Sequence, residues 1–197
     1  MKEIQVTGKP DWVSWDEIHK TLWEAHEQNR KRGINMAYPS LPGEKIREMI
    51  EGNGKMYIAL DGTKVIGTAG ITPVKRNLWC GKGEYAYCCF ASVLPDYNGM
   101  GIYKQFCLVR EEAAKELGID CLLFDTNKHN AHVININNKN GFKTVDLKIL
   151  KDHHNVVMVK WLNGCPYSDF HCQLQFTLRR LFKIVRCKIS KLKRLDK

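Results

Sequence analysis

The stretch Val93-Leu94-Pro95-Asp96-Tyr97-Asn98-Gly99-Met100-Gly101-Ile102-Tyr103 decides how this chain folds. The apolar run before it, residues 85–93, is rich in strand formers, and residues 102–117 after it carry apolar side chains at helical spacing. Pro95 ends the strand because it cannot donate to a sheet ladder. Gly99 and Gly101 lack a Cβ, so the backbone can turn sharply and approach a ligand closely. Since the first turn of a helix has unpaired N–H groups, the stretch predicts an anion site, typically for phosphate.

Two common phosphate motifs do not fit this loop. The P-loop sequence is absent, and Lys104 occupies the third glycine position of a dinucleotide fingerprint. The loop instead resembles motif A of the GNAT superfamily of acyl-CoA N-acyltransferases, in which a strand ending Val-x-Pro precedes Gln/Arg-x-x-Gly-x-Gly/Ala. Residues 93–95 match the strand end and residues 99–101 match the loop. Asp96 stands where the family usually has Gln or Arg.

A second segment, residues 130–142, resembles motif B of the same family. That motif begins with Asn, continues as a helix with an apolar face, and ends Tyr-x-Lys-x-Gly-Phe. Asn130, Lys139, Gly141 and Phe142 match it. Asn137 occupies the position of the Tyr that is often the proposed acid for the leaving thiolate, and an amide gives up no proton near neutral pH. Two motifs at the family's separation support the resemblance far better than either alone.

Strand and helix patterns alternate along the chain in an order similar to that of the GNAT core. This alternation alone predicts an α/β fold with a mixed sheet covered by helices. The resemblance, which spans residues 1–161, adds a splay between the strand ending at Val93 and the strand starting at Cys121, where the family holds pantetheine. We predict strands at 3–7, 55–60, 65–74, 85–93, 121–125, 142–150 and 156–161, and helices at 14–33, from 42, at 99–117 and at 131–138. We predict a GNAT-like domain over residues 1–163 and a basic amphipathic helical tail within residues 164–197.

The resemblance assigns the co-substrate acetyl-CoA mainly to main-chain groups. It implies that loop N–H groups hold the pyrophosphate and that the N–H of Val93 polarises the thioester carbonyl. It places Asn130 against the pantetheine arm, with Asn137 and Lys139 near the thiol end. The expected cofactor-binding residues are Ser92, Val93, Asn98, Gly99, Met100, Gly101, Ile102, Tyr103, Asn130, Asn137 and Lys139.

The attacking amine must also lose a proton. Bases in this family often lie about six residues before the Val, which implicates Tyr87, whereas Glu84 is chemically the better base but starts the strand. Packing of Tyr87 and a proton relayed by solvent are the alternatives. The candidate catalytic residues are Tyr87, Glu84 and Val93, and the candidate acceptor-binding residues are Trp15, Trp23, Tyr38, Tyr85 and His153, with core packing as the alternative for the two Trp. His19 and His26 lack a third ligand, so no metal site is expected.

Positive charge is concentrated at the end of the chain. The net charge is +10, and residues 178–197 hold nine Lys or Arg and one acid, which leaves the rest of the chain at only +2. Leu178, Leu181, Phe182, Val185 and Ile189 recur there at helical spacing. Three interpretations stay open: packing on the core or on a second subunit as a homodimer, contact with an anionic membrane surface, and nucleic-acid binding. The last is disfavoured because aromatic residues do not alternate with the basic ones.

The expected function is an N-acetyltransferase that acts on a primary amine of a small molecule by direct attack. The alternative is a catalytically silent acyl-CoA-binding module docked to a membrane or partner by its tail, which the departures at Asp96 and Asn137 favour. The eight Cys form no Cys-x-x-Cys pair, and residues 1–5 show no apolar signal region. The sequence therefore predicts a cytoplasmic location, with peripheral membrane contact if the tail binds lipid.

Overall fold

The computed structural model describes residues 4–34, 40–150 and 153–195. The elements alternate as the sequence predicts, and the predicted mixed α/β class is confirmed. The strands are β1 Ile4–Gly8, β2 Lys55–Asp61, β3 Lys64–Leu78, β4 Gly81–Val93, β5 Cys121–Asn127, β6 Lys143–Ile149 and β7 His154–Trp161. The helices are α1 Trp15–Ala25, α2 Glu27–Lys31, α3 Gly43–Ile50, α4 Ile102–Glu116, α5 Ala131–Lys139 and α6 Asp169–Leu195.

Several boundaries differ from the sequence prediction. The helix expected over residues 14–33 is broken at His26, which ends α1 and precedes α2. The strands β3 and β4 are longer than expected and meet in a short turn after Leu78. The helix α4 starts at Ile102 because Gly101, with φ 77°, has a left-handed conformation that cannot continue a helix.

The chain forms two compact units, one of residues 1–76 and 83–122 and the other of residues 77–82 and 123–197. The predicted division after residue 163 follows a different criterion and stays a prediction. The predicted splay involves strands of both units and also stays a prediction.

In the first unit, the sheet order is β1-β2-β3-β4, with β1–β2 and β2–β3 antiparallel. The hydroxyl of Ser14 accepts from the N–H of Glu17 at 3.1 Å and caps α1, whose Ile18 and Leu22 are fully buried against one side of the core. Helix α4 packs by Phe106 over Gly67 of β3, where a Cβ would lie 3.2 Å from that ring. A small residue at this point therefore lets α4 lie close to the sheet, which positions the loop before it.

In the second unit, the strand order is β5-β7-β6, and β6 pairs antiparallel with β7 around an irregularity between Thr144 and Asp146. Helix α6 packs on β6. The indole of Trp79 donates to the carbonyl of Val145 at 2.8 Å, and its ring contacts Tyr167 at a centroid distance of 5.1 Å. The indole bond satisfies the carbonyl of Val145, at the position where the ladder between β6 and β7 is irregular.

Candidate functional site

The loop between β4 and α4 is held by a turn and by one buried side chain. Pro95–Tyr97 is a single 3₁₀ turn, in which the N–H of Tyr97 donates to Leu94 and the N–H of Asn98 donates to Pro95 at 3.1 Å. The phenol of Tyr97 is buried and donates to the carboxylate of Asp61 on β2 at 2.7 Å. The main-chain N–H of Asn98, a predicted donor to the cofactor, is therefore used within the turn. Residues 99–101, which follow this held segment, are exposed.

Four successive amides after this turn have no acceptor among the residues that the structure describes. Within residues 4–34, 40–150 and 153–195, no acceptor is found for the main-chain N–H groups of Gly99, Met100, Gly101 and Ile102, and the first helical bond runs from Gln105 to Gly101. Gly99 and Gly101 have φ of 81° and 77°, and a Cβ on either would meet nothing within 4 Å. The glycines are therefore needed for their conformation, and open space lies above the amides. This arrangement fits a diphosphate, because it offers several aligned donors at the positive end of a helix.

The direction of the Val93 N–H follows from the next residue of the strand. The next amide, that of Leu94, donates to Ile66 on β3 at 2.8 Å. Because successive amides of a strand point to opposite sides, the N–H of Val93 points away from β3. Ser92 is buried, and its hydroxyl bonds to Thr68 on β3 at 2.7 Å, so its side chain serves the sheet.

The middle of β4 has an irregular backbone held by side chains. Phe90 has φ 51°, a left-handed conformation that is rare for a large side chain and typical of a bulge. The carbonyl of Cys89 accepts from the buried Arg110 of α4 at 2.7 Å, and that of Phe90 accepts from Thr68 at 2.7 Å. The next carbonyl, of Ala91, accepts from the imidazole of His26. Three elements thus fix three successive carbonyls just before Val93.

His26 acts on this segment as a neutral donor. Burial lowers the pKa of His26. The charge of Arg30 lowers this pKa further, whereas the hydrogen bond to Ala91 raises it. The amide of Asn29 lies 3.2 Å from Nδ1, which leaves the other ring nitrogen as the donor to Ala91. Both nitrogens are engaged, so we interpret His26 as a residue that positions β4.

The candidate bases differ in their exposure. Tyr87 is half-buried and packs against the cluster that contains Ile18 and Phe90. The side chain of Glu84 is 55% exposed and lies 3.5 Å from the ammonium of Lys75, so its carboxylate is solvated and paired. Tyr85, which was predicted to bind the acceptor, is 3% exposed and belongs to the core. Of the predicted bases, only Tyr87 combines partial burial with a place on β4 near the irregular segment.

The candidate acceptor residues lie at several places. Trp15 packs against the core of the first unit under the ammonium of Lys9, and it lines a cavity of about 290 Å³ beside the starts of β2 and α1. Trp23 is 45% exposed, and the guanidinium of Arg30 lies 3.7 Å from its ring centre. His153 is half-buried in the turn before β7, and Tyr38 lies outside the described residues. Their role in binding an acceptor stays a prediction.

The motif B residues lie on α5 in the second unit. The side chain of Asn130 is buried and donates to Thr126 at 3.3 Å, directly before the helix. Asn137 is 2% exposed, and its amide donates to the carbonyl of Val133, one helical turn earlier, at 2.9 Å. Lys139 is exposed at the end of α5. Asn137 therefore holds its own helix, and its contribution to cofactor binding stays a prediction.

Three residues that position the site carry no recognisable sequence signal. Thr68 lies in an apolar strand run and Arg110 in an amphipathic helix. His26, together with His19 seven residues earlier, is considered in the sequence only as a metal ligand, and that interpretation is rejected. Their roles depend on contacts 21 to 65 residues apart in sequence. The glycine loop, by contrast, is local and could be found directly.

Comparisons with known proteins agree with this geometry. The sequence profile of the Acetyltransferase (GNAT) family matches residues 15–142. A GNAT acetyltransferase from Staphylococcus aureus has a TM-score of 0.65 at 16% identity, over 81% of this chain and 99% of its own. A chain of the NatC complex bound to Gag peptide and CoA has a TM-score of 0.62 at 14% identity, over 81% and 99%. A ribosomal-protein alanine N-acetyltransferase from Escherichia coli has a TM-score of 0.58 at 12% identity, over 81% and 94%. None of the curated proteins matches the sequence significantly. The chain belongs to the GNAT acetyltransferase family and is an acyltransferase whose acyl donor is acetyl-CoA.

Proposed function

We propose that this protein transfers the acetyl group of acetyl-CoA to a primary amine of a small molecule by direct attack. Acetyl-CoA supplies a thioester that is already activated toward amines. The amine nitrogen bonds to the carbonyl carbon, the carbon–sulfur bond breaks, the thiolate leaves, and one amine proton goes to a base or to solvent. The protein then needs to hold the two reactants in line, to polarise the carbonyl and to accept the proton.

The observation that carries the proposal is the row of four amides from Gly99 to Ile102. They lie at the N-terminus of α4, and no acceptor for them is found in the described residues. Residues 99–101 are exposed, whereas Ile102 is buried. A diphosphate accepts hydrogen bonds from such a row without any matching side chain. The departure from the family at Asp96 therefore leaves the main donors in place.

The irregular part of β4 supports the assignment of Val93. Its three fixed carbonyls hold the strand directly before the N–H of Val93, and the following residue is again bonded to β3. A donor held in advance costs no reorganisation when charge develops on the carbonyl oxygen. Val93 thus contributes through its backbone, and the valine side chain packs against the core.

For the proton, Tyr87 and solvent are the two routes that the geometry favours. The carboxylate of Glu84 faces water and Lys75, and both nitrogens of His26 are engaged. Asn137 donates to its own helix and supplies no acid for the thiolate. We infer that the thiolate leaves without a dedicated acid, as its low basicity allows.

Asn137 is also the observation that favours a second candidate, an acyl-CoA-binding module without catalytic activity. A peptide is a further candidate for the acceptor, because two structural neighbours are described by peptide or protein substrates. In that case the attacking group is the terminal amine of a peptide. The proposed small molecule is favoured only by the near-neutral charge of the chain before residue 178, which gives no field for a strongly charged polymer.

Calorimetric titration with acetyl-CoA tests the loop, with Gly101→Ala as the variant and Gly118→Ala as its matched control. Both glycines have a positive φ and open space around Cβ, and they lie at opposite ends of α4. Each alanine costs about 1–2 kcal/mol of backbone strain. We expect Gly101→Ala to weaken acetyl-CoA binding on the order of tenfold and Gly118→Ala to leave it unchanged. Equal affinities of the two variants would contradict the loop assignment.

Release of free thiol from acetyl-CoA tests the transfer itself. The full chain is assayed with polyamines, amino sugars and peptides that have free N-termini, and Tyr87→Phe is compared with the parent. We expect turnover with at least one small amine, and a fall in kcat with Tyr87→Phe if the phenol takes the proton. Binding without turnover on any amine favours the silent module, and turnover on peptides alone favours a peptide acceptor.

A further inference from the structure

Helix α6 is attached to β6 by charged side chains. Asp169 in its first turn lies 2.8 Å from the ammonium of Lys143, at the start of β6. Further along, the ammonium of Lys183 donates to the carboxylate of Asp146 at 2.7 Å and to the carbonyl of Leu147 at 2.8 Å. Cys172, on the same side, is 3% exposed. Ion pairs and hydrogen bonds therefore contribute to holding the side of α6 that faces the sheet.

The opposite side of α6 exposes large apolar residues. At 100° per residue, the positions 170, 174, 178, 181, 182 and 185 lie within an arc of about 120°. We call this set the apolar stripe, and its exposed fractions are 74% for Phe170, 43% for Leu174, 53% for Leu178, 56% for Leu181, 68% for Phe182 and 53% for Val185. A helix of a globular domain normally turns such a stripe to the core, so its exposure indicates an interaction surface.

Positive charge flanks the apolar stripe. Arg180 and Arg186 are exposed on α6, and residues 178–197 as a whole carry nine basic side chains against one acid. The rest of the chain is nearly neutral. An apolar stripe with basic flanks is complementary to a surface that is apolar inside and anionic at its boundary.

We propose that α6 docks in the interface of an anionic lipid membrane. The apolar stripe lies in the boundary between headgroups and acyl chains, and Arg180 and Arg186 contact the lipid phosphates. Among the described helices, none has the length and apolar character needed to cross a bilayer, so α6 lies along the surface. Its 27 residues span about 40 Å.

A second copy of the chain is a poorer occupant of this stripe. Two α6 helices packed side by side would bring together two segments with a net charge of +8 each, and like charges at close range repel. Anionic lipid removes this repulsion and gains from each basic residue. The apolar stripe lies outside the family match, which ends at residue 142. The proposal of membrane docking therefore does not depend on the assignment of acyl transfer.

Vesicle co-sedimentation of the full chain tests this proposal. One set of vesicles is phosphatidylcholine alone, and the other contains about 30% phosphatidylglycerol. We expect binding to the anionic vesicles to exceed binding to the neutral ones by at least about tenfold, and to fall as salt rises. The proposal is overturned if equal amounts of the protein stay in the supernatant with both kinds of vesicle. It is also overturned if sedimentation shows a concentration-dependent dimer that does not bind vesicles.

Substitutions separate the apolar and charged contributions. Leu178→Ser with Phe182→Ser removes half-exposed or exposed apolar groups, and Arg180→Glu with Arg186→Glu reverses the flank. Each pair is expected to lower anionic vesicle binding at least about tenfold, whereas the control Gln173→Ala on the same helix leaves it unchanged. Circular dichroism is the control that checks whether each variant keeps its helix. A folded Leu178→Ser, Phe182→Ser variant that binds vesicles like the parent overturns the proposal.

Discussion

Replacing Thr68 with Val tests whether the irregular part of β4 depends on side-chain hydrogen bonds. Thr68 is fully buried, and its hydroxyl bonds at 2.7 Å to both the carbonyl of Phe90 and the hydroxyl of Ser92. Val has the same shape and no hydroxyl, so the substitution removes the two bonds without opening a cavity. Phe90, with φ 51°, costs about 1–2 kcal/mol in strain that surrounding contacts must offset.

The magnitude follows from the two partners. A buried polar group that loses its bond costs about 1–3 kcal/mol, and the hydroxyl of Ser92 recovers part of this by rotating. We therefore expect Thr68→Val to lower the free energy of unfolding by about 2–4 kcal/mol. For a chain of this size, each kcal/mol lowers Tm by about 2–4 °C, so Tm should fall by roughly 5–15 °C.

Urea unfolding and acetyl transfer should be measured together, with Thr68→Ser as the control. Serine keeps the hydroxyl and loses one buried methyl, which costs about 1 kcal/mol. We expect kcat to fall at least about tenfold in the Val variant, because the N–H of Val93 loses its support, and much less in the Ser variant. Unfolding of Thr68→Val within about 0.5 kcal/mol of the parent, or an equal loss with Thr68→Ser, would refute the role of the hydroxyl.

Three further substitutions or conditions test single contacts. Tyr97→Phe removes the bond to Asp61 and should cost about 1 kcal/mol in urea unfolding while weakening acetyl-CoA binding in calorimetry; unchanged values would contradict the anchoring of the loop. Because burial lowers the pKa of His26, the stability that its neutral form contributes is complete above its ordinary pKa of 6.5 and is lost as pH falls below it. His26→Gln should therefore show a smaller loss of stability than the parent between about pH 7 and pH 5 in urea unfolding, and an equal loss would argue against a buried neutral imidazole. Burial raises the pKa of Cys172 to about 11, so iodoacetamide should label it slowly at about pH 8 in the folded protein and rapidly after unfolding, as peptide mass spectrometry can follow; fast labelling of the folded chain would contradict its burial.

The sequence predicted the parts of the site that are built locally. Hydrophobic spacing is sufficient to place the order of strands and helices. The turn at Pro95 and the glycine loop follow from the residue types at those positions. The left-handed conformation of Phe90 could not be read in this way, because aromatic residues in an apolar run indicate an ordinary strand. The carbonyls around it are held by residues that are distant in sequence, since Arg110 of α4 bonds to Cys89 and Thr68 of β3 bonds to Phe90.

The same difference explains why helix boundaries were predicted unevenly. The N-terminus of α1 has a local signal in the capping hydroxyl of Ser14. Its end at His26 has none, since residues 14–33 read as one amphipathic segment without Gly or Pro before Gly33. At the break, the imidazole of His26 bonds to Ala91, a tertiary contact that helical spacing does not encode.

A site made of main-chain donors places its sequence requirements away from the ligand. The main groups proposed to touch acetyl-CoA are amides that every residue except proline offers. The sequence requirements therefore lie in the glycines that shape the loop and in the side chains that hold β4. This is consistent with a fold shared at 16% identity and with Asp96 in place of the usual Gln or Arg. It also implies that the substitutions most harmful to binding and transfer lie in buried polar residues such as Thr68 and Arg110, whose hydrogen bonds hold the backbone of β4.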